Sequence, residues 1–163
     1  EKKNHTTAKK TMLSKEGFLM CKMFKIFIPG KPIAKARPRF ARRGDYTVTY
    51  KTDKETTEEG KFILLSREEM GKMGIYEPIP KGTPIKITCM FMFPIPASLS
   101  NKKHKEFVDT LHTKKPDLDN CIKFVKDALN RVAWEDDSQV CVYGMCIKKW
   151  SEVPGTTIVI ETL

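Results

Sequence analysis

Between Pro84 and Pro94 the chain alternates without a lapse, with Ile85, Ile87, Cys89, Phe91 and Phe93 at every second position. Successive side chains of a strand point to opposite faces, so residues 84–93 are predicted to form the longest strand, with one apolar face and an end at Pro94 and Pro96. A second pattern has a different period. Leu118, Ile122, Val125, Leu129 and Val132 recur at spacings of four, three, four and three, a helical stripe that faces a core.

The remaining segments are shorter. Residues 24–28 alternate apolar and basic side chains as a half-buried strand does, and Pro29-Gly30 ends it. Residues 39–42 and 46–50 read as an arginine-rich hairpin across Gly44-Asp45. A helix is expected over residues 53–70, capped by Thr52 or Asp53, with Phe62, Leu65 and Met70 on its buried side. Ser98 or Ser100 can cap a short helix carrying His104, Phe107, Val108 and Leu111. Residues 140–148 and 157–160 read as closing strands joined through Pro154-Gly155. The predicted fold class is therefore α/β (α+β), a small mixed β-sheet packed with two or three helices.

The 163 residues, 40% of them apolar, suffice for one domain with a moderate core. Residues 23–163 are expected to form it, and residues 1–22 to be a basic extension, disordered or extraneous to the fold. The formal charge of +10 is unevenly spread: residues 1–50 hold 13 Lys/Arg against 3 Asp/Glu, and the rest hold 17 of each. A basic arm beside a charge-balanced body is the footprint of a nucleic-acid binder, because each cation that meets a phosphate releases condensed counterions. Lys31, Lys35, Arg37, Arg39, Arg42 and Arg43, interleaved with Phe40, Tyr46 and Tyr50, are the candidate DNA-backbone contacts. The competing reading is a solvated hairpin face with Phe40 in the core.

Five cysteines, an odd number without C-x-x-C spacing, and three histidines point to neither a disulfide framework nor a zinc module. No apolar run approaches the roughly 20 residues that cross a bilayer. The expected location is cytoplasmic, without membrane contact.

Acidic residues in so basic a chain are not there to bind a polyanion. Asp117 and Asp119 lie two apart beyond Pro116, in a stretch expected to be extended, so both carboxylates should point to one side and could share a metal. Asp119 alone can also be read as a simple helix cap. A second acidic pair, Asp136-Asp137, follows the helix, and a return to the first pair would need the strand starting near Gln139 to run beside the segment bearing Asp117. Hard, small Mg²⁺ takes one to three carboxylates together with phosphate oxygens, which this set supplies without histidine or cysteine. Lys123, one helical turn after Asp119, can meet a phosphate or form an ordinary surface ion pair. Together these features indicate a metal-dependent nuclease.

The string from Pro116 to Val140, PDLDNCIKFVKDALNRVAWEDDSQV, resembles the RusA family of Holliday junction resolvases in its D-L-D-N, the lysine one turn on, D-A-L, and D-D-x-Q-V. Gly30-Lys31-Pro32, Lys35 and Arg37-Pro38-Arg39 resemble the opening of its phage-type branch. The resemblance implies catalytic and metal-holding roles for Asp117, Asp119 and Asp137, a catalytic role for Lys123, and a less defined metal role for Asp136. Asp127 is expected to support the site or to solvate the helix. It also implies a homodimer that uses Mg²⁺, with Mn²⁺ as substitute and no organic cofactor, to nick four-way DNA junctions symmetrically in recombination and repair.

Two other readings compete. A non-catalytic DNA-binding or scaffold protein would use its aspartates only as caps and surface charges. A sugar-nucleotide transferase with a D-x-D metal site is disfavoured by the short chain and by the lack of a glycine-rich phosphate loop.

Overall fold

The computed structural model describes residues 23–36 and 39–163. The basic extension expected over residues 1–22, and Arg37, lie outside the described residues. In chain order the elements are β1 (Met23–Pro29), β2 (Arg39–Arg43), β3 (Tyr46–Tyr50), α1 (Asp53–Lys72), β4 (Ile85–Pro94), α2 (Asn101–Phe107), α3 (Leu118–Leu129), β5 (Val140–Tyr143), β6 (Ile147–Ser151) and β7 (Gly155–Thr162). A 3-10 turn, Asp137–Gln139, precedes β5.

The long alternating strand is the spine of the sheet. On one edge β4 pairs antiparallel with β7, which pairs antiparallel with β1; on the other edge β5 and β6 both run parallel to it, one after the other. The sheet is mixed, as the sequence pattern implied. Ile85, Ile87, Cys89, Phe91 and Phe93 are at most 2% exposed, and each large apolar side chain so buried is worth about 1.5–3 kcal/mol. Ile158 and Ile160 of β7 and Ile26 of β1 extend this apolar face sideways, because paired residues share a side of the sheet.

Helices α1 and α3 cover that face, meeting edge to face at Phe62 and Phe124, with ring centroids 5.2 Å apart. Helix α1 starts in a full capping box: Thr52 Oγ1 accepts from Glu55 N–H, and the Glu55 carboxylate accepts from Thr52 N–H. No helix among the described residues is long and apolar enough to cross a membrane.

Three expectations need correction. Residues 140–148 are two strands, because the chain steps aside at Gly144, whose N–H donates to Ile87 O at 2.8 Å. A Cβ there would stand 2.1 Å from Thr88 Oγ1, so with Thr88 in place the step leaves no room for a side chain. Helix α2 stops at Phe107, leaving Val108 as its cap and Leu111 67% exposed on a bridge to Lys149. Val132 is buried but lies beyond α3, which ends at Leu129.

The β2–β3 hairpin forms as expected around Gly44, at φ 62°, but as a sheet of its own that shares no ladder with the five-stranded one. Phe40 is 66% exposed and not in the core, and Tyr46 is 65% exposed.

Candidate active site

Helix α3 sets the geometry. Asp117 is its N-cap, in extended backbone, and Asp119 already belongs to the first helical turn, so the two do not project from one extended strand as the proline had suggested. Helix formation by the apolar stripe wins over the extended bias that Pro116 imposes only on its predecessor. The Asp117 side chain makes no capping hydrogen bond. Both carboxylates are exposed at the helix N-terminus, where the dipole favours negative charge.

Down the same face of α3, Asp119, Ile122, Lys123, Lys126 and Asp127 line an open cleft of about 320 Å³, which Asp137 and Tyr143 close from the other side. Asp137 thus returns to the acidic helix, but not by strand pairing beside Asp117. After α3 the chain reverses at Asn130 and Arg131, whose φ is 62°, and Arg131 N–H donates to Trp134 O at 2.7 Å. Ala133 and Trp134 are fully buried, and this segment is stitched to residues 79–83. Ile79 N–H donates to Ala133 O at 2.9 Å, and Lys81 N–H to Glu135 Oε2 at 2.8 Å.

The D-D-x-Q motif then has a physical reading. Asp136 caps the 3-10 turn by accepting from Ser138 N–H at 3.0 Å, while the buried Gln139 amide donates to Pro80 O at 2.8 Å and Thr83 O at 3.1 Å. Hydrogen bonds from Ser138 hold the Asp136 carboxyl below its ordinary value, with smaller help from Lys81 and Arg131. Asp136 and Gln139 pin the turn from either end, leaving Asp137 turned to the cleft, where its Oδ2 lies 3.9 Å from Lys126 Nζ. Asp136 itself does not line the cleft.

The basic candidates divide. Lys35 joins the site: its N–H donates to Asn120 O at 2.9 Å, and its Nζ lies 2.6 Å from Asp127 Oδ2. Asp127, a supporting or solvating residue by sequence, is thus bound to a cation. Lys31 lies apart, in a cleft of about 270 Å³ between the end of β1 and α1, beside Glu58 and Lys61. Arg42 and Arg43 are exposed on the hairpin, and Arg39 opens β2.

Lys126 and Tyr143 were missed by the sequence reading. Lys126 was within reach, since it stands seven residues after Asp119 and therefore on the same helical face. Tyr143 was harder to reach, because only Gly144 marks where β5 stops and nothing local shows that the strand end faces α3. Among the described residues, no three His, Cys, Asp or Glu side chains gather into a group that could cage a metal ion unaided.

A family model described as Endodeoxyribonuclease RusA matches residues 29–161, a span that contains every cleft residue. The chain is also 33% identical over 141 residues to the uncharacterized protein YqaN of Bacillus subtilis (strain 168), covering 84% of this chain and 94% of that protein.

Proposed function

The chain belongs to the RusA family of endodeoxyribonucleases, and from that premise we propose that it resolves four-way DNA junctions by metal-dependent phosphodiester hydrolysis. The observation that carries this reading is the convergence of Asp119, Lys123 and Asp137, from two separate segments, on one cleft.

The donor set suits a hard divalent cation. Asp119 and Asp137 offer carboxylate oxygens to the cleft, Asp117 has a carboxylate not spent on capping, and no cysteine or histidine among the described residues lines the cavity. Mg²⁺ is bound through one or two carboxylates, several waters and substrate phosphate oxygens, so the lack of a ready-made cage is compatible with it. Asp119 and Asp137 would hold the ion from the cleft, with Asp117, just outside its lining, acting through a bound water or the substrate, and Mn²⁺ would substitute. When bound, such an ion lowers the pKa of a water and offsets charge developing on the phosphate.

The chain's own groups do the rest. Lys123, on the cleft wall one turn from Asp119, offers an ammonium to a phosphate oxygen. Lys126 beside Asp137 balances the carboxylates when no DNA is present and can turn to the backbone when it arrives. Arg42 and Arg43, with exposed Phe40 earlier on the same strand and exposed Tyr46 paired across from Arg43, give the hairpin both phosphate contacts and aromatic faces for unpaired bases. A homodimer would present two such centres to a two-fold junction and nick it symmetrically, serving recombination and repair.

The test is cleavage of a synthetic mobile four-way junction against linear duplex of the same sequence, with Mg²⁺, Mn²⁺ or chelator. Paired nicks confined to the junction, lost in chelator and in Asp117→Asn, Asp119→Asn and Asp137→Asn while junction binding persists, are expected. Tight, metal-independent binding without nicks would instead support a non-catalytic DNA-binding protein.

A further inference from the structure

We propose that Lys148 is a positioning residue for the acidic centre: its ammonium clamps the turn leading into α3 and so sets where Asp117 and Asp119 stand. This rests on the site reading above.

Lys148 occupies an unexpected place for a lysine. In the parallel β4–β6 ladder it pairs with Phe91, as Trp150 pairs with Phe93, so it lies on the same side of the sheet as these buried rings while itself remaining half-buried. A cation on that side is costly unless hydrogen-bonded. Here Nζ donates to Lys114 O at 2.8 Å and to Pro116 O at 2.5 Å, and Pro116 O is the last carbonyl before Asp117.

The backbone reinforces the clamp. His112 N–H donates to Lys148 O at 2.9 Å, and the His112 ring lies between Phe93 and Trp150, with centroids 4.3 and 4.2 Å away. Residues 112–116 are therefore tied to β6 at both ends before they reach the cap.

Because the Asp117 side chain makes no capping bond, its direction depends on the backbone behind it, and that backbone is what Lys148 grips. Supporting residues of this kind typically change metal affinity or activity about 10- to 100-fold when lost.

The experiment compares the full-length wild type with Lys148→Met and Lys148→Arg at 25 °C, below each protein's melting temperature. It measures Mn²⁺ binding to the DNA-free protein by water-proton relaxation, junction affinity in chelator, and single-turnover junction cleavage against Mg²⁺ concentration. Lys148→Met is expected to weaken Mn²⁺ binding and slow cleavage by about tenfold or more, with junction affinity unchanged. Lys148→Arg, which keeps charge and donors, should recover most of both. A purely structural lysine would lower the melting temperature and leave Mn²⁺ affinity alone.

If Lys148→Met does not fold, Lys148→Gln, which keeps an amide NH₂ donor on a shorter stem and drops the charge, must show an intermediate loss, and wild-type behaviour in it overturns the proposal. Wild-type protein that neither binds Mn²⁺ nor cleaves overturns the site reading and this role together. An active wild type matched by an equally active Lys148→Met overturns the role of Lys148 alone.

Discussion

Lys35, in the irregular segment that follows β1, lays its ammonium 2.6 Å from the Asp127 carboxylate on α3, while its own N–H donates to Asn120 O. The basic segment is thereby fastened to the helix that carries Asp119. Both side chains are 31% exposed, so solvent screens the pair, and a double-mutant cycle of Lys35→Met with Asp127→Asn should give a coupling of about 0.2–1 kcal/mol. Cleavage by Asp127→Asn should fall far less than by Asp119→Asn. Equal losses in single-turnover assays would make Asp127 part of the chemistry and not of its support.

Lys123 is expected to act on the reacting phosphate more than on binding. Lys123→Ala should slow single-turnover junction cleavage about 100-fold, as removal of one transition-state donor does, with junction affinity in chelator nearly unchanged. A loss seen only in affinity would reduce Lys123 to a backbone contact.

Asp136 predicts a pH signature. Its folded carboxyl is held below the usual 3.8, chiefly by Ser138, so the stability it contributes is present above the unfolded value and lost as pH falls through the folded one. The melting-temperature gap between wild type and Asp136→Ala should be complete at neutral pH and close as acid titrates the group below about pH 4. A gap constant across that range would mean the cap acts through shape and not charge. Asp136→Ala should also retain more cleavage than Asp137→Asn, because it loosens the turn without removing a cleft carboxylate.

Local patterns carried the fold a long way. The alternation at residues 84–93, the stripe on α3, the Thr52 cap and the Gly44 turn are short-range facts, and each became the expected element. The break at Gly144 was hidden because Val140, Val142, Cys146 and Lys148 keep one period across it, although the glycine at its centre was the available signal. The return of Asp137 was beyond any local reading. It depends on the Gln139 amide meeting carbonyls at Pro80 and Thr83, more than fifty residues earlier in the chain. Lys148 was overlooked for a related reason: only the ladder with Phe91 shows that it shares a side of the sheet with buried rings.

Gly144 supplies a steric test. The added methyl of Gly144→Ala would meet Thr88 Oγ1 at 2.1 Å, and such overpacking costs about 1–3 kcal/mol. Combining it with Thr88→Ala removes the obstructing oxygen and should restore much of the melting temperature. A double variant no better than Gly144→Ala would mean that backbone conformation, not the clash, makes glycine necessary.

Cysteine reactivity gives an independent reading of the core edge. Cys146 is less buried than its neighbour Cys89, and the interaction between the two thiols lowers Cys146 to about 6 while it and burial raise Cys89. At pH 7 iodoacetamide should therefore label Cys146 ahead of Cys89 and Cys121, with the rate falling as pH drops through 6. Mass spectrometry of partly labelled protein that finds Cys89 or Cys121 modified first would contradict the arrangement.

The β2–β3 hairpin borrows no ladder bond from the five-stranded sheet. On the proposed reading, in which the hairpin grips DNA and the α3 cleft cuts it, grip and cutter are separable inheritances. Mutation can reshape the cationic arm, and with it the range of DNA shapes accepted, while the scaffold that aligns the acids is left untouched, so lineages carrying this fold are free to diverge in what they hold far faster than in what they do to it.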